Sequence, residues 1–379
     1  MKITDIEVIE LRVPDWQGNT FDGSYDDCLV MVHTDENVTG VAEVDSVPSV
    51  IRAIIEAPRS HTHAMGLKSA LLDQDPGDVE GLWDRMYDLT SYYGRRGAVI
   101  HAISAVDIAL WDIRGKILGK PLSDVLGTRR RHRILAYGTV YPLGTTTDEV
   151  RRTIDRGLKL GLKAIKIVAD PFWRSDLQAT KALIHAAREH VGPDIRLMVD
   201  AATAWSKAEE GLPLMPIFRE YDFQWVEAPL PLDDLEGHAR FQGYGIPIAG
   251  GDLGLTTRYE YEQLFEIGQV DIAQPDVTMA GGLTELLRIA EIARARGKRI
   301  VTHGYKSNIT IAANLAFLAQ HWDDEPLEYS TSTSPLRWHL TNENFAIGAD
   351  GKVDVPVLPG LGVSINMETV HKYRVKAGT

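Results

Sequence analysis

Residues 196–201 read RLMVDA, residues 223–228 read FQWVEA, and residues 247–252 read PIAGGD. Each is a short apolar run with a carboxylate at or next to its end, and a helix-length stretch separates it from the next. Further runs of this kind are ILAYGTVY (134–141), AIKIV (164–168), VDIAQPD (270–276), RIVTHG (299–304) and PLEYS (326–330). Eight strands that alternate with helices predict an α/β fold of the (β/α) barrel type.

The segments between these runs have helical periodicity. Residues 147–160 place Val150, Ile154 and Leu158 on one face, and residues 283–297 repeat the pattern. A doubly wound open sheet is the structural alternative. No G-x-G-x-x-G turn follows a strand, which weakens the dinucleotide-binding version of that alternative.

The regions on either side of these runs do not alternate between strands and helices. The first third predicts an α+β unit, with strands at 2–13, 28–35 and 38–44 and helices near 47–57, 78–90 and 98–118. After residue 331 the chain is rich in strands and turns, and we expect this tail to pack on the first unit.

Composition limits the partners. The net charge of −13 argues against nucleic acid and against an anionic membrane surface. No apolar stretch approaches the roughly 20 residues that span a bilayer, and the start of the chain lacks the pattern of a signal peptide. With a single cysteine, Cys28, no intrachain disulfide can form, so we expect a cytoplasmic protein.

Three carboxylates stand among apolar neighbours at the ends of consecutive strands. They are Asp200, Glu227 and Asp252. In a barrel these side chains would converge on one rim, where they would repel one another unless a cation joined them. Oxygen ligands alone favour Mg²⁺, with Mn²⁺ as a substitute. The sequence therefore predicts a divalent-metal site.

The next strands end in an acid–base pair. Asp276 ends the sixth strand and His303 the seventh, so the aspartate can orient the histidine as a general base. Glu328 lies on the eighth strand, and we expect its carboxyl to stay protonated among so many anions. This arrangement predicts removal of a proton α to a carboxylate, with the metal and Glu328 stabilising the enediolate.

The chain also resembles a known family over nearly its whole length. The motif AISAVDIALWDIRGK (102–116), with Pro121-Leu122 and Leu126-Gly127, is similar to the signature of the mandelate racemase/muconate lactonizing family of the enolase superfamily. Val125 stands where leucine is usual. The resemblance implies a (β/α)7β TIM-like barrel (131–331), an α+β capping domain (1–130) that the C-terminal segment (332–379) rejoins, and homo-oligomers. It also implies the same ligand trio, the same Asp-His dyad and the same final-strand glutamate.

Two positions depart from the family pattern. The second barrel strand often ends in Lys-x-Lys, with the second lysine as a base; here it reads Lys166-Ile167-Val168, so we assign Lys166 only an electrostatic role. Asparagine is frequent two residues after the first ligand, and this chain has Ala202. Lys163 and a tyrosine on the first barrel strand stay open as substitutes for the lost base.

The replacement of the family's catalytic lysine by Val168 restricts the reactions that we expect. A racemase needs acid–base groups on both faces of the substrate, whereas a dehydratase can use one histidine as base and then as acid. We therefore predict dehydration of a sugar acid to a 2-keto-3-deoxy acid. A racemase, epimerase or cycloisomerase of a hydroxy acid is the alternative, and a catalytically silent sugar-acid binder is the second. Substrate contacts are expected from loops 14–27, 45–66 and 170–176, the last with Trp173 and Arg174.

Overall fold

The computed structural model of the protein describes residues 1–14, 16, 22–141, 144–169, 173, 176–252, 254–321 and 324–376. An antiparallel sheet in the order β1-β2-β3 begins the chain, and α4 packs against it. The elements are β1 (Ile3–Arg12), β2 (Asp26–Thr34), β3 (Thr39–Val44), α1 (Pro48–Glu56), α2 (Leu67–Leu71), α3 (Val79–Thr90), α4 (Ala98–Leu118) and α5 (Leu122–Val125). The predicted strands and helices of this region are confirmed to within about two residues.

Eight parallel strands follow. They are β4 (Arg133–Val140), β5 (Ala164–Val168), β6 (Arg196–Asp200), β7 (Phe223–Glu227), β8 (Ile248–Gly250), β9 (Ile272–Ala273), β10 (Arg299–Ile300) and β11 (Leu327–Ser330). Their hydrogen-bonded order is β10-β9-β8-β7-β6-β5-β4-β11. The two end strands meet through side chains, because Arg299 Nε lies 2.6 Å from Glu325 Oε1 and Gly304 N donates to Glu328 Oε2 at 3.0 Å. The sheet is therefore curled into the predicted barrel.

Helices cover the outside of this barrel. They are α6 (Thr147–Lys159), α7 (Leu177–Val191), α8 (Ala208–Gly211), α9 (Met215–Glu220), α10 (Leu235–Ala239), α11 (Thr257–Glu266), α12 (Gly282–Ala295) and α13 (Asn308–Leu318). Helix α6 shows how the sequence determines such an element: Thr146 and Glu149 form a capping box at its start, and Val150 and Ile154 are buried against the strands. A separate cluster fills the barrel interior: Leu135, Tyr137, Ala164, Met198, Trp225, Ala249, Ile272 and Val301.

Helix α4 joins the first domain to the barrel. Ser104, Asp107 and Trp111 lie on one face of the helix because they are three or four residues apart. Ser104 Oγ accepts from Gly281 N at 2.8 Å. Thr284 Oγ1 donates to Asp107 Oδ1 at 2.6 Å and accepts from Trp111 Nε1 at 2.9 Å. This face therefore holds the start of α12.

The C-terminal segment returns to both parts of the molecule. It contains α14 (Pro335–His339), β12 (Lys352–Asp354) and α15 (Met367–Tyr373). Strand β12 pairs antiparallel with barrel strand β4, and Val375 N donates to Glu10 O on β1 at 2.9 Å. We propose the division 1–130, 131–331 and 332–379, with the tail as a link between cap and barrel. No helix in the described part of the chain has the length and apolar composition that crossing a bilayer requires.

Candidate active site

One cavity lies at the carboxyl ends of the barrel strands, beneath loops of the first domain. Its volume is about 460 Å³. Both domains contribute to the described lining, which consists of Asp22, Gly23, Asp45, Thr139, Tyr141, Lys166, Val168, Asp200, Ala202, Thr203, Asp252, Gly254, Met279, His303, Tyr305 and Glu328. Because this rim is where barrel enzymes carry their catalytic groups, the cavity is the candidate active site.

The predicted carboxylate trio converges at the floor of this cavity. Asp200 ends β6, Glu227 ends β7 and Asp252 follows β8, and one oxygen of each lies within 4.8 Å of the others. Burial raises the pKa of Asp200 well above its usual range, and repulsion from Glu227 adds to the shift. The same two causes raise the pKa of Asp252 to about 7. Three buried carboxylates this close need a cation to be ionised together.

The trio also fits a metal by its hydrogen bonding. Asp252 Oδ1 is buried and has no hydrogen-bond partner within the described ranges. An oxygen in this state suits a cation, because burying it without a partner is costly. The donors are all oxygens, which hard cations such as Mg²⁺ and Mn²⁺ prefer. The residues present therefore fit a divalent ion.

Glu227 is held in place by donors from neighbouring strands. Trp225 Nε1 donates to its Oε2 at 3.0 Å, and Gln274 Nε2 donates to the same oxygen at 2.6 Å. Lys166 Nζ bonds to the other oxygen, Oε1. Oε1 accepts one bond and has a further lone pair for a metal, whereas both lone pairs of Oε2 are used. These donors orient the carboxylate toward Asp200 and Asp252.

Lys166 occupies the layer of the barrel below the cavity mouth. Its side chain is 1% exposed, and Nζ lies 3.0 Å from Glu328 Oε1 and 3.9 Å from Asp200 Oδ2, besides its bond to Glu227. Burial alone would lower the pKa of Lys166, but Glu227 and Glu328 raise it well above its ordinary value. A lysine held protonated in this way neutralises carboxylates and is a poor base. Val168, one layer higher, presents an apolar side chain to the cavity.

The predicted dyad lies on the rim of the barrel, just after strands β9 and β10. His303 Nδ1 lies 2.7 Å from Asp276 Oδ2, so the aspartate determines which ring nitrogen faces the cavity. Thr278 donates from both its backbone N and its Oγ1 to Asp276 Oδ1, each at 2.6 Å. Burial alone would lower the pKa of His303, but Glu328 and Asp276 raise it well above its usual value. A shift in this direction would keep His303 protonated without a metal; a cation held by Asp252 and its neighbours would lower the pKa again and free the imidazole to act as a base.

The protonation of Glu328 differs from the expectation. It accepts hydrogen bonds from Thr139 Oγ1 at 2.5 Å and from Gly304 N at 3.0 Å, and its Oε1 pairs with Lys166. Burial would raise its pKa, but Lys166, His303 and these donors lower it to about 2. The expectation that this carboxyl stays protonated is therefore wrong. The sequence argument considered only the anions and missed the buried cation beside it.

Of the suggested substitutes for the lost lysine, the structure places Tyr137 and Lys163 away from the cavity lining, whereas Tyr141, at the end of the 134–141 run, is part of it. Tyr137, on the first barrel strand, is buried below the cavity, and burial together with Glu328 raises its pKa well above the ordinary value. Lys163 precedes β5 and is not among the described lining residues. His303 is therefore the general base that the geometry favours.

Several supporting residues were not identified from the sequence. Trp225, Gln274 and Thr139 each lie on or beside a strand and point to a carboxylate of the site. A signal existed for two of them, because Trp225 and Gln274 precede Glu227 and Asp276 by two residues and strand alternation places such pairs on one face. Thr139 shows no comparable signal.

Some residues of the predicted substrate loops line the cavity, and others lie outside the described residues. Asp22 and Gly23 of loop 14–27 and Asp45 of loop 45–66 line the cavity. Residues 15 and 17–21 of the first loop lie outside the described residues, as do 170–172, Arg174 and 175 of loop 170–176. Trp173 is a core residue, 1% exposed and stacked on Phe218 with 6.2 Å between ring centroids.

Comparison with known proteins agrees with this geometry. Residues 146–369 match the model of the enolase C-terminal domain-like family, and residues 23–127 match the N-terminal domain of mandelate racemase/muconate lactonizing enzymes. The chain belongs to the mandelate racemase/muconate lactonizing enzyme family of the enolase superfamily. Within this family, the Val168 and Ala202 departures concern the cavity itself.

Individual members of the family are similar along most of their length. D-galactarolactone cycloisomerase of Agrobacterium fabrum is 32% identical over 362 residues, which are 92% of this chain and 91% of that protein. Arabinonate dehydratase of Saccharolobus solfataricus is 32% identical, over 82% of each chain. The crystal structure of the 3,6-anhydro-D-galactonate cycloisomerase from Zobellia galactanivorans superimposes with a TM-score of 0.87 at 31% identity, over 99% of this chain and 100% of that one. The protein is an enzyme of the lyase or isomerase class.

Proposed function

We propose that the protein removes the α-proton of a sugar acid and expels the β-hydroxyl as water, giving a 2-keto-3-deoxy acid. One observation carries this proposal: His303 is oriented by Asp276 on one side of the cavity, while Val168 replaces a base on the other. A single base suits β-elimination, because the same group can act first as base and then as acid on one face of the substrate. A racemase would need a second group.

Asp200, Glu227 and Asp252 would hold Mg²⁺, or Mn²⁺ as a substitute. When bound, such an ion offsets the charge of the substrate carboxylate and makes the α-proton more acidic. The substrate carboxylate therefore belongs at the floor of the cavity, near the trio. This orientation places the α-carbon between the floor and His303.

His303 would then carry the proton through the reaction. It takes the α-proton as the Cα–H bond breaks, and Asp276 stabilises the imidazolium. The electron pair left on the α-carbon expels the β-oxygen, and His303 returns its proton to that oxygen so that water leaves. The enol that remains tautomerises to the 2-keto acid, and atoms and charge balance without a further reactant.

Lys166 and Glu328 would set the electrostatics of this step. Lys166 neutralises Glu227 and Glu328 at the barrel floor. Glu328 Oε2 lies 3.8 Å from His303 Nε2, so its negative charge favours proton uptake by the histidine. Neither residue needs to exchange a proton with the substrate.

Ring-opening cycloisomerisation is the second candidate, and the cycloisomerases among the similar proteins favour it. If the β-oxygen belongs to a lactone or anhydro ring, the same elimination opens the ring and releases no water. This chemistry also needs only one base, so Val168 argues against racemases and muconate-type cycloisomerases but not against ring opening. The mass of the product separates the two, because dehydration removes one water and ring opening does not.

The test is a screen of sugar acids, their lactones and their anhydro derivatives with Mg²⁺. Products are detected as semicarbazones and by mass, and the same reactions are run in D₂O. We expect one or two substrates to give a 2-keto-3-deoxy acid, with a loss of about 10³-fold in His303→Asn and no loss in His339→Asn, which changes an exposed histidine. Deuterium exchange at the α-carbon without elimination would instead show an epimerase and contradict the proposal.

A further inference from the structure

The cavity has two chemically different ends. Its floor holds Lys166 and two carboxylates of the trio, Asp200 and Asp252, whereas the first domain closes the opposite side with Asp22, Gly23 and Asp45. Between these ends the described lining contributes hydroxyl groups from Thr139, Tyr141, Thr203 and Tyr305. A substrate whose carboxylate lies at the floor must therefore direct its other end toward two aspartates.

The basic side chains among the described lining residues already have acidic partners. Among the described lining residues, Lys166 and His303 are the only ones with a basic side chain. Lys166 is paired with Glu227 and Glu328 at the floor. His303 is paired with Asp276. None of these groups can meet a second substrate carboxylate at the far end.

Lys306 lies close to Asp45, and its ammonium group binds backbone carbonyls of the loop that carries Gly23. It is 3% exposed, and its Nζ donates to the carbonyl oxygens of Gly23 at 2.6 Å and Asp26 at 2.7 Å. Its distance to Asp45 Oδ1 is 3.3 Å. The lysine therefore fixes Gly23 and Asp45 and offsets the charge of Asp45, but it is not among the described lining residues, so Asp22 carries most of the negative charge at this end.

Asp22 is fixed independently of that lysine. Ser24 N donates to its Oδ1 at 3.0 Å, and Ser332 Oγ donates to its Oδ2 at 2.6 Å. These bonds attach the carboxylate to both the cap and the loop after β11, while it still lines the cavity. A carboxylate held in this way accepts hydrogen bonds from substrate hydroxyls and repels a second anion.

We infer that the active site selects sugar acids with one carboxylate and an uncharged polyhydroxy tail, and rejects diacids that carry a carboxylate at each end. The inference rests on the proposed function, because it assumes that the reacting carboxylate lies at the trio. Aldonates, their anhydro forms and sugar lactones with one free carboxylate meet the requirement, and aldarates do not. Asp22 is the specificity-determining residue, with Asp45 beside it.

Matched pairs of acids test this selection. The Mg²⁺-loaded enzyme is titrated calorimetrically with hexonates and with the hexarates that share their C2–C5 configuration, such as galactonate and galactarate, and turnover is measured alongside. For the preferred configuration we expect the hexonate to exceed the hexarate by at least about 100-fold in affinity and in kcat/KM. Asp22→Asn keeps a hydrogen-bonding group but removes the charge, so we expect it to reduce this preference by about tenfold. Asp194→Asn, at an exposed position, makes the same change in net charge and should leave the preference unchanged.

The outcomes separate this inference from the proposed function. Equal or tighter binding of the hexarate would overturn the inference, whatever the turnover. Selective binding of the hexonate without elimination would support the inference and contradict the dehydratase. A preference that Asp22→Asn leaves intact would overturn the assignment to Asp22. Binding of neither class to the Mg²⁺-loaded enzyme would overturn the inference, and the wider screen of sugar acids, lactones and anhydro acids then tests the proposed function by itself.

Discussion

Asp252 carries the buried oxygen without a partner in the described structure, so its ionisation should control metal binding. Its pKa is raised to about 7 by burial and by Glu227. A metal binds only the carboxylate form, and the pKa of Asp200 is raised as well, so we expect Mg²⁺ affinity to fall by at least about tenfold per pH unit below about pH 7. Calorimetry in buffers of different ionisation enthalpy should show more protons released on binding near pH 6 than near pH 8.

A fall in pH weakens Mg²⁺ binding, but it has the opposite effect on the stability of the metal-free protein. A carboxyl whose pKa is raised on folding stabilises the fold at low pH, and this contribution is lost as the pH rises from about 4 to 7. Asp252→Asn removes both effects. We expect the variant to bind Mg²⁺ at least about 100-fold more weakly while losing no stability without metal. A metal-free variant clearly less stable than the parent at pH 8 would contradict this account.

Thr278 links the first domain to the catalytic dyad. Its Oγ1 donates to Asp276 Oδ1 and accepts from Asp45 N at 3.1 Å. Thr278→Val removes this hydroxyl but keeps the shape, so we expect kcat to fall about tenfold, with a shift in the pH profile of kcat and little change in KM. Thr278→Ser should restore both values. If Val and Ser behave alike, the hydroxyl has no positioning role.

At the scale of elements, a buried aspartate makes two of the hydrogen bonds that join α4 to α12. Asp107 accepts from Thr284 N at 3.0 Å and from Thr284 Oγ1 at 2.6 Å, and burial raises its pKa to about 7. We expect Asp107→Ala to reduce the free energy of unfolding by about 2–3 kcal/mol at pH 5. The loss should be smaller at pH 8, because native Asp107 is then a buried anion whose stabilising contribution has declined.

Asp84→Ala is the matched control for that contact. Asp84 also joins the cap to α12, through Arg288 at 3.0 Å, but its side chain is 63% exposed. An exposed ion pair contributes little, so we expect a loss below about 1 kcal/mol at either pH. Urea unfolding of both variants measures the difference. Equal losses would show that the buried hydrogen bonds of α4 do not hold the cap to the barrel.

At the scale of the whole molecule, metal binding and folding should be linked. The three candidate ligands come from the ends of three neighbouring strands, and the trio exists only when these strands are paired. Cap and barrel are also joined at the dyad side, because Glu43 of β3 accepts from Ser307 N at 3.0 Å and Thr310 N at 2.8 Å at the start of α13. These links suggest a single cooperative unit.

Removal of the metal tests this linkage. We expect Mg²⁺ at about 100 times its Kd to stabilise the protein by about 2.7 kcal/mol, and EDTA to reverse the gain. Calorimetry should show one transition that moves as a whole, for cap and barrel together. The Asp252→Asn variant should melt at the same temperature with and without Mg²⁺. A split transition, with only the barrel responding, would contradict a single unit.

The sequence alone determined the barrel, its flanking sheet and the trio. Strand and helix periodicities are local, and an apolar run that ends in an aspartate or glutamate can be recognised without knowing its neighbours. The spacing of one strand and one helix per unit also placed Asp276 next to His303, as the 2.7 Å contact shows. These features repeat along the chain, so the topology of parallel strands brings their ends together.

The tertiary structure alone decided the charge states and the far end of the cavity. Glu328 is ionised because Lys166, far away in sequence, lies beside it, and no pattern around residue 328 shows that cation. Asp22 and Asp45 face the cavity because the first domain folds over the rim and is held there by α4, Glu43 and Lys306. Electrostatic energy depends on distances between groups that the chain brings together only on folding. The residues proposed for the reaction could therefore be identified from order and spacing, but their ionisation and the proposed selection of substrate could not.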